Sequence, residues 1–467
     1  MTRGVGSRLD LAGKQAVVVG LARSGVAAAA FLAARGARVL ATDLRPAAEL
    51  APEALRLGER GVRLELGGHR AEAFAGADLV VVSPGVPWDL PELVEARAAG
   101  ALVIAELELG FRHMRGPVAA VTGTKGKSTT TAALGAILRE AGRDVRVGGN
   151  IGDAVTGLVD GAGEATVFVL EVSSFQLEGT RTFRPDVAVF LNLSPDHLDR
   201  HASFEEYARA KARIFASQTE EDWAVVNADD PGVLALARHG RARVLPFHPL
   251  APSIEGAFFE GAAARLRHLD RAETLFSRDR LQVPGAHLAG DLLAAAAAAR
   301  LLGAPAAAVE RAVESFGGAE HVLERVAEVA GVVFFNDSKA TNVEAALKGV
   351  EAMDRPVLAI VGGRFKGGDF RDLREALAVR GKGVFAIGEA QGRVLEALAG
   401  AVPVTACSSL GEAVRGAHAA AAPGDAVLLA PGCSSFDMFR DYADRGRAFK
   451  AEVRRLAEEH GGRLPDG

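Results

Sequence analysis

The sequence predicts an α/β protein of three domains, each built on a mainly parallel sheet, and three observations predict it. Apolar runs such as "KQAVVVG", "GPVAAVTG" and "PVLAIVGG" end in loop-forming residues, as buried parallel strands do when they deliver loops to one sheet edge. Helix-like stretches such as "VAAAAFLAARG" and "LREALAVRG" lie between such runs. The chain has 467 residues, too many for one hydrophobic core, and 49% of them are hydrophobic.

The elements follow in order. Residues 1–110 open with "KQAVVVGLARSG", continue through a helix to "ARVLATDLR", and add "ADLVVVSPG", the pattern of a βαβ unit with a further strand. Residues 111–317 supply the strands of "GPVAAVTG", "ATVFVLEVSS", "PDVAVFLNLS" and "WAVVNADD". Residues 318–467 supply "GVVFFNDSKATN", "PVLAIVGG", "GVFAIG" and "DAVLLAPG". No repeat relates the three regions.

Charge and cysteine usage narrow the function. Against 59 acidic residues stand 54 basic ones, a net charge of -5, so nucleic acid is not an expected partner and any bound anion is held locally. Cys407 and Cys433 are too few for a disulfide framework or a thiolate metal site, which fits a reducing cytoplasm. Residues 1–20 lack the basic-then-apolar pattern of an export signal, and the alanine-rich stretches are interrupted by arginine or glycine. Neither export nor membrane insertion is expected.

The strongest local signal is "AAVTGTKGKSTTTAALGAIL", a strand, a glycine loop and a helix in succession. Such a loop turns backbone N–H groups of Gly123, Thr124, Lys125 and Gly126 toward phosphates. Lys127 neutralises the outer phosphates, and the hydroxyls of Ser128 and Thr129 follow at the helix start. ATP is the expected ligand. Val121 stands where the full P-loop pattern has glycine.

The N-terminal "GLARSG" reads as a dinucleotide fingerprint with Asp43 on a ribose, or as a site for a different nucleotide, since Ala22 replaces the middle glycine. Glu171 of "LEVSSFQLE" and His197 of "NLSPDHLDRH" close two strands and suit either metal ligation or acid–base work facing the phosphate loop. Taken singly, each is equally a structural residue. In "SFEEYARAKARIF", helical spacing places Lys211 on the buried face with Phe204, Tyr207, Ala208, Ile214 and Phe215. By itself that is a lysine whose stem packs while its ammonium reaches water.

Together these motifs resemble the ATP-dependent Mur ligases of peptidoglycan synthesis. The resemblance runs through "GLARSG", "VVSPGVP", "TGTKGKSTTT", "GGNIG", "EVSSFQLE", "PDHLDRH", "NDSKATN", "GGRFKGGDF" and "PGCSSFDMF", and is nearest to members that add D-glutamate to UDP-N-acetylmuramoyl-L-alanine. It implies a Rossmann-like uridine-nucleotide domain, a central P-loop-type ATPase domain and a C-terminal Rossmann-like domain for the amino acid. It implies amide formation through an acyl phosphate, with ATP and two magnesium ions, in the cytoplasm; a monomer is expected.

The resemblance also assigns residues. Lys127, Glu171, His197 and Lys211 carry the catalysis, Lys211 as a carbamate, and burial favours the neutral amine that takes up carbon dioxide. Ser128 and Glu171 are the expected ligands of one magnesium, His197 and carbamylated Lys211 of the other. Asp291, His321, Asp337 and Lys339 contact ATP. Ser24, Asp43, Arg45 and Ser83 contact the uridine diphosphate, and Asn150 the sugar and its peptide. Thr341, Lys366, Ser435 and Tyr442 belong to the D-glutamate side.

Departures from the family pattern fall after His287, at Leu288 and Asp291, where Asp291 replaces an adenine-reading asparagine, and at Val322, Phe365 and Tyr442. An ionised aspartate accepts but cannot donate, so relaxed ATP selectivity is expected. Arg325 is expected to compensate for Val322 from one helical turn on. A ligase with another acceptor and a nicotinamide oxidoreductase using "GLARSG" are the competing readings; the latter leaves Lys127, Glu171, His197 and Lys211 without a task.

Overall fold

The computed structural model describes residues 8–463 except 251, 252, 254, 269, 270 and 283. It forms two compact units: residues 1–276 with 291–311, and residues 277–290 with 312–467.

The first unit holds two sheets. A five-stranded parallel sheet runs in the spatial order Arg63–Leu66, Arg38–Asp43, Gln15–Val19, Leu79–Val82, Leu102–Ala105. Strand order reverses direction at Gln15–Val19, so a crevice opens between its C-terminal end and that of Leu79–Val82, where Gly20 and Ser83 lie. The second sheet has nine strands. Its centre is Val118–Thr122, paired in parallel with Val167–Glu171 on one side and Val187–Phe190 on the other. Every residue of these three strands is buried, which is why they read as unbroken apolar runs without alternation. Strands Val145–Gly149, Trp223–Asn227 and Arg243–His248 extend the parallel part. Strands Gly256–Glu260, Ala263–His268 and Arg271–Ser277 complete its far edge, with an antiparallel pairing between the first two that the sequence reading did not anticipate.

The second unit carries a six-stranded sheet in the order Glu324–Val329, Val332–Asn336, Ala426–Leu429, Val357–Gly362, Gly381–Ile387, Val404–Ala406. Only the first pairing is antiparallel. The structure corrects the expectation for Arg325. It lies on the strand Glu324–Val329, next to a register shift, and its Nη2 donates to Glu328 Oε2 at 2.8 Å. A side chain engaged along that strand does not sit one helical turn from Val322.

The stretch around Lys211 is an α-helix over Phe204–Ala212, continued by a 3-10 turn over Arg213–Phe215. Ser203 caps it by accepting from the Glu206 N–H at 3.2 Å. Among the described residues, no helix is long and apolar enough to cross a membrane.

Candidate active site

The phosphate loop joins the strand Val118–Thr122 to the helix Lys127–Glu140. Gly123 (φ +155°) and Gly126 (φ +82°) take backbone conformations that side chains rarely adopt. Gly126 is doubly constrained, because a Cβ there would stand 2.2 Å from Asp291 Oδ1. Lys127 Nζ folds onto the loop, donating to the carbonyls of Gly123 (3.0 Å) and Thr124 (2.8 Å). A flexible ammonium resting on carbonyl dipoles can exchange them for phosphate oxygens.

Asn192 also shapes the loop. Its Oδ1 accepts from the N–H groups of Thr124 (3.1 Å) and Lys125 (2.8 Å), and its Nδ2 donates to Lys125 O (3.1 Å). Sequence reasoning passed over it, because its partners are backbone atoms distant in sequence.

Ser128 and Glu171 come together as expected. Ser128 Oγ donates to Glu171 Oε2 at 2.6 Å, and Asn150 Nδ2 donates to Oε1 of the same carboxylate at 2.8 Å. Glu171 is 1% exposed. A hydroxyl and a carboxylate side by side at the loop form an oxygen-only donor pair, which suits magnesium. Asn150 is in turn anchored, for Arg23 Nη2 donates to the carbonyls of Gly149 (3.1 Å) and Asn150 (2.9 Å).

Lys211 is 2% exposed and does not reach water. Its Nζ donates to Gly123 O at 2.7 Å and lies 4.7 Å from the centroid of the Tyr207 ring. Burial, reinforced by the charge of Lys127, brings its pKa down to about 6, so the amine is mostly neutral at pH 7. Tyr207, pushed up to about 12 by burial, shares a hydrogen bond with Thr124 Oγ1 at 3.1 Å. His197 sits on the loop before this helix at φ +53°, with the N–H groups of Arg200 and His201 both donating to its carbonyl at 3.0 Å. Its ring faces Phe175 at 5.0 Å and Tyr207 at 6.4 Å. The structure thus brings Lys211 onto the phosphate loop and His197 to its flank.

Asp291 is buried against Gly126, and burial pushes its carboxyl up to about 7 against the opposing charge of Lys127. It therefore packs on the phosphate loop itself. Leu288 is buried, and the side chain of His287 lies outside the described set.

At the first sheet's crevice, Ser83 Oγ donates to Gly20 O at 2.7 Å. A Cβ on Gly25 would fall 1.7 Å from that carbonyl, so glycine permits the close approach of helix and strand. Ser24 is buried in the first turn of the same helix. Asp43 accepts from the Leu21 N–H (2.6 Å) and from Arg45 Nε and Nη2 (3.0 and 2.8 Å). Burial raises its pKa, but the hydrogen bonds from Arg45 and Leu21 outweigh burial and hold it down at about 2.

In the second unit, the loops after three adjacent parallel strands meet at one edge. The strand Val332–Asn336 delivers Asp337, Lys339 and Thr341, Ala426–Leu429 delivers Ser435, and Val357–Gly362 delivers Lys366. Asp337 is buried, which lifts its pKa to about 7 against the Leu323 N–H that Oδ1 accepts at 3.2 Å. His321 (φ +66°) accepts the Lys339 N–H through its carbonyl at 3.1 Å and meets Asn336 Nδ2 through Nδ1 at 2.9 Å. Lys366 is exposed, its ammonium 5.5 Å from the Phe436 ring centroid, while Ser435 is buried. The Phe365 ring lies tilted against that of Phe370, their centroids 5.3 Å apart. Tyr442 begins the helix Tyr442–His460, and its carbonyl accepts from Ser338 Oγ at 2.7 Å.

Comparison with known proteins fits this layout. Residues 14–105 match the family model for the Mur ligase MurD-like N-terminal domain, 121–299 the Mur ligase middle domain, and 321–433 the Mur ligase glutamate ligase domain. A protein of Acidobacterium capsulatum named UDP-N-acetylmuramoylalanine--D-glutamate ligase is 48% identical, over 95% of this chain and 96% of that one. Its namesake in Geotalea daltonii is 43% identical, over 96% and 99%. The solved structure of the UDP-N-acetylmuramate-alanine ligase MurC of Thermotoga maritima shares the fold, with a TM-score of 0.59 and 21% identity over 96% of this chain and all (100%) of that one.

Proposed function

The chain belongs to the Mur ligase family, and from that premise we propose that it joins D-glutamate to UDP-N-acetylmuramoyl-L-alanine at the expense of ATP, in peptidoglycan precursor synthesis. The observation that carries the reading is the Ser128–Glu171 pair at the head of a phosphate loop, in a chain 48% identical along nearly its whole length to a ligase of that name.

A carboxylate is a poor electrophile because its charge repels an incoming amine's lone pair and oxide is no leaving group. Phosphorylation remedies both. A carboxylate oxygen of the alanyl group attacks the terminal phosphorus of ATP, ADP leaves, and an acyl phosphate results. The amine of D-glutamate then adds to the acyl carbon, loses a proton, and expels phosphate as the amide forms. Both steps crowd anions together, so cations rather than a nucleophilic side chain carry the catalysis.

Lys127, released from the carbonyls of Gly123 and Thr124, holds the transferring phosphoryl group. The loop N–H groups, kept in place by Asn192, cradle the neighbouring phosphates. Ser128 and Glu171 would hold one magnesium ion, His197 and carbamylated Lys211 a second, and the ions supply charge neutralisation where carboxylate meets phosphate. The carbamate forms when neutral Lys211 Nζ attacks carbon dioxide and sheds a proton. Ser24, Asp43, Arg45 and Ser83 bind the uridine diphosphate, and Asn150 the sugar and its peptide. Thr341, Lys366, Ser435 and Tyr442 bind D-glutamate, while Asp337, Lys339 and His321 serve ATP. The domains divide near residues 110 and 317, and the enzyme works as a cytoplasmic monomer.

The acyl phosphate is tested with UDP-N-acetylmuramoyl-L-alanine labelled with oxygen-18 in its carboxylate. One labelled oxygen passes into inorganic phosphate if the reading holds. Phosphate without label would overturn it.

A further inference from the structure

A second ligand set lies between the helix Ser174–Glu178 and the helix Phe204–Ala212, and it shares no residue with those assigned to magnesium. Glu178, at the end of the helix Ser174–Glu178, His201 in the following loop, and Glu206 in the first turn of Phe204–Ala212 each present one ligand atom, all within 4.8 Å of one another. His201 is 1% exposed, and its Nδ1 is a buried atom without a hydrogen-bond partner. That nitrogen points at Glu178 Oε1, 3.4 Å away.

The surroundings fix the imidazole. Nε2 shares a hydrogen bond with Ser174 Oγ at 3.0 Å, the Phe175 ring stacks on it at 5.4 Å, and the Tyr207 ring meets it edge-on at 5.4 Å. With Nε2–H donating to the serine, Nδ1 keeps its lone pair for a cation, the outer-shell arrangement that orients ligating histidines. Burial raises the pKa of Glu178 against the charges of Arg200 and Arg213. Arg200 takes only the other oxygen, its Nη2 standing 3.4 Å from Glu178 Oε2. Glu206 Oε2 accepts from the Ala202 N–H at 2.8 Å, and this partly exposed side chain gives a route in from solvent.

We propose that Glu178, His201 and Glu206 bind a divalent transition-metal ion of the zinc class. One imidazole with two carboxylates suits such an ion better than magnesium, whose sites are all oxygen. Rotation of the glutamates closes the 4.8 Å spread to the roughly 3.4 Å that separates tetrahedral ligands about 2.1 Å from one ion. The ion's place is structural. It ties Ser174–Glu178 to the helix that carries Tyr207 and Lys211 onto the phosphate loop.

The test is titration of chelator-treated protein with Co2+ in excess Mg2+, followed by visible absorption, with Zn2+ added last. One Co2+ binds and Zn2+ displaces it. Glu206→Gln and His201→Asn each weaken Co2+ binding by at least about tenfold, the lower bound for losing even an outer-shell partner, whereas Glu171→Gln leaves it unchanged. Glutamine at 206 keeps an acceptor for the Ala202 N–H and leaves the Ser203 cap on the backbone N–H of that residue intact, so that variant folds even if His201→Asn does not. Absence of binding under Mg2+, or binding that survives Glu206→Gln, would overturn the proposal.

Discussion

Lys211 Nζ donates to the carbonyl oxygen of Gly123 at 2.7 Å, which sets a fully buried lysine directly on the phosphate loop. Its pKa of about 6 means the reactive neutral amine exists above that pH and is lost below it. With 13C-labelled bicarbonate, a carbamate resonance should appear as pH rises through about 6 and be absent from Lys211→Ala. That variant should lose about 10²–10³-fold in kcat, the scale of removing one preorganised charge-stabilising group, and recover with acetate or a similar short acid. Full activity in Lys211→Ala would contradict the assignment.

Arg23, the first residue of the helix that follows Gln15–Val19, reaches to the carbonyls of Gly149 and Asn150, and Asn150 in turn holds Glu171. Losing charge-assisted hydrogen bonds costs about 1.5–3 kcal/mol. Arg23→Ala should therefore raise the Mg2+ concentration for half-maximal activity at least about tenfold, with Arg23→Lys intermediate. An unmoved Mg2+ curve would sever this link.

How much of this was legible differs by element. The strand–loop–helix around Lys127 and the strand ends at Glu171 were readable because buried parallel strands are continuous apolar runs broken by glycine. The helical stripe placed Lys211 on the buried face, and the structure keeps it there at 2% exposure. Arg23 and Asn192 were not legible as supports, since their partners are backbone atoms distant in sequence and carry no side-chain signature. Asp291 was read only as a base contact, because its packing on Gly126 depends on how a helix 165 residues later crosses the loop. Arg325 was placed on a helix because its spacing from Val322 fits one turn, whereas strand pairing with Val332–Asn336 decided its conformation.

Lys366 is exposed at the edge where three loops of the second unit meet. Lys366→Ala should raise the KM for D-glutamate roughly 10–100-fold, the worth of one charged hydrogen bond, with a smaller change in kcat at saturation. Steady-state kinetics in D-glutamate checks this, and an unchanged KM would remove Lys366 from the acceptor site.

Glu106 is fully buried, which lifts its pKa from 4.5 to about 7 against the hydrogen bonds from Thr156, and its Oε2 has no hydrogen-bond partner. The folded state thus binds a proton that the unfolded state releases between those values. The associated stability is present below pH 4.5 and lost as pH rises through 7, on the order of 3 kcal/mol. Glu106→Gln keeps an acceptor for Thr156 and cannot ionise. Its thermal midpoint should gain on the parent protein as pH goes from 5 to 8; a constant difference would contradict the argument.

The central claim is tested most directly by phosphate release from ATP with Mg2+ and UDP-N-acetylmuramoyl-L-alanine, comparing D-glutamate with L-glutamate and other amino acids. Release that requires D-glutamate, matched mole for mole by the amide product, is the predicted result. Release indifferent to the amino acid, or stimulated by a different one, would contradict the account.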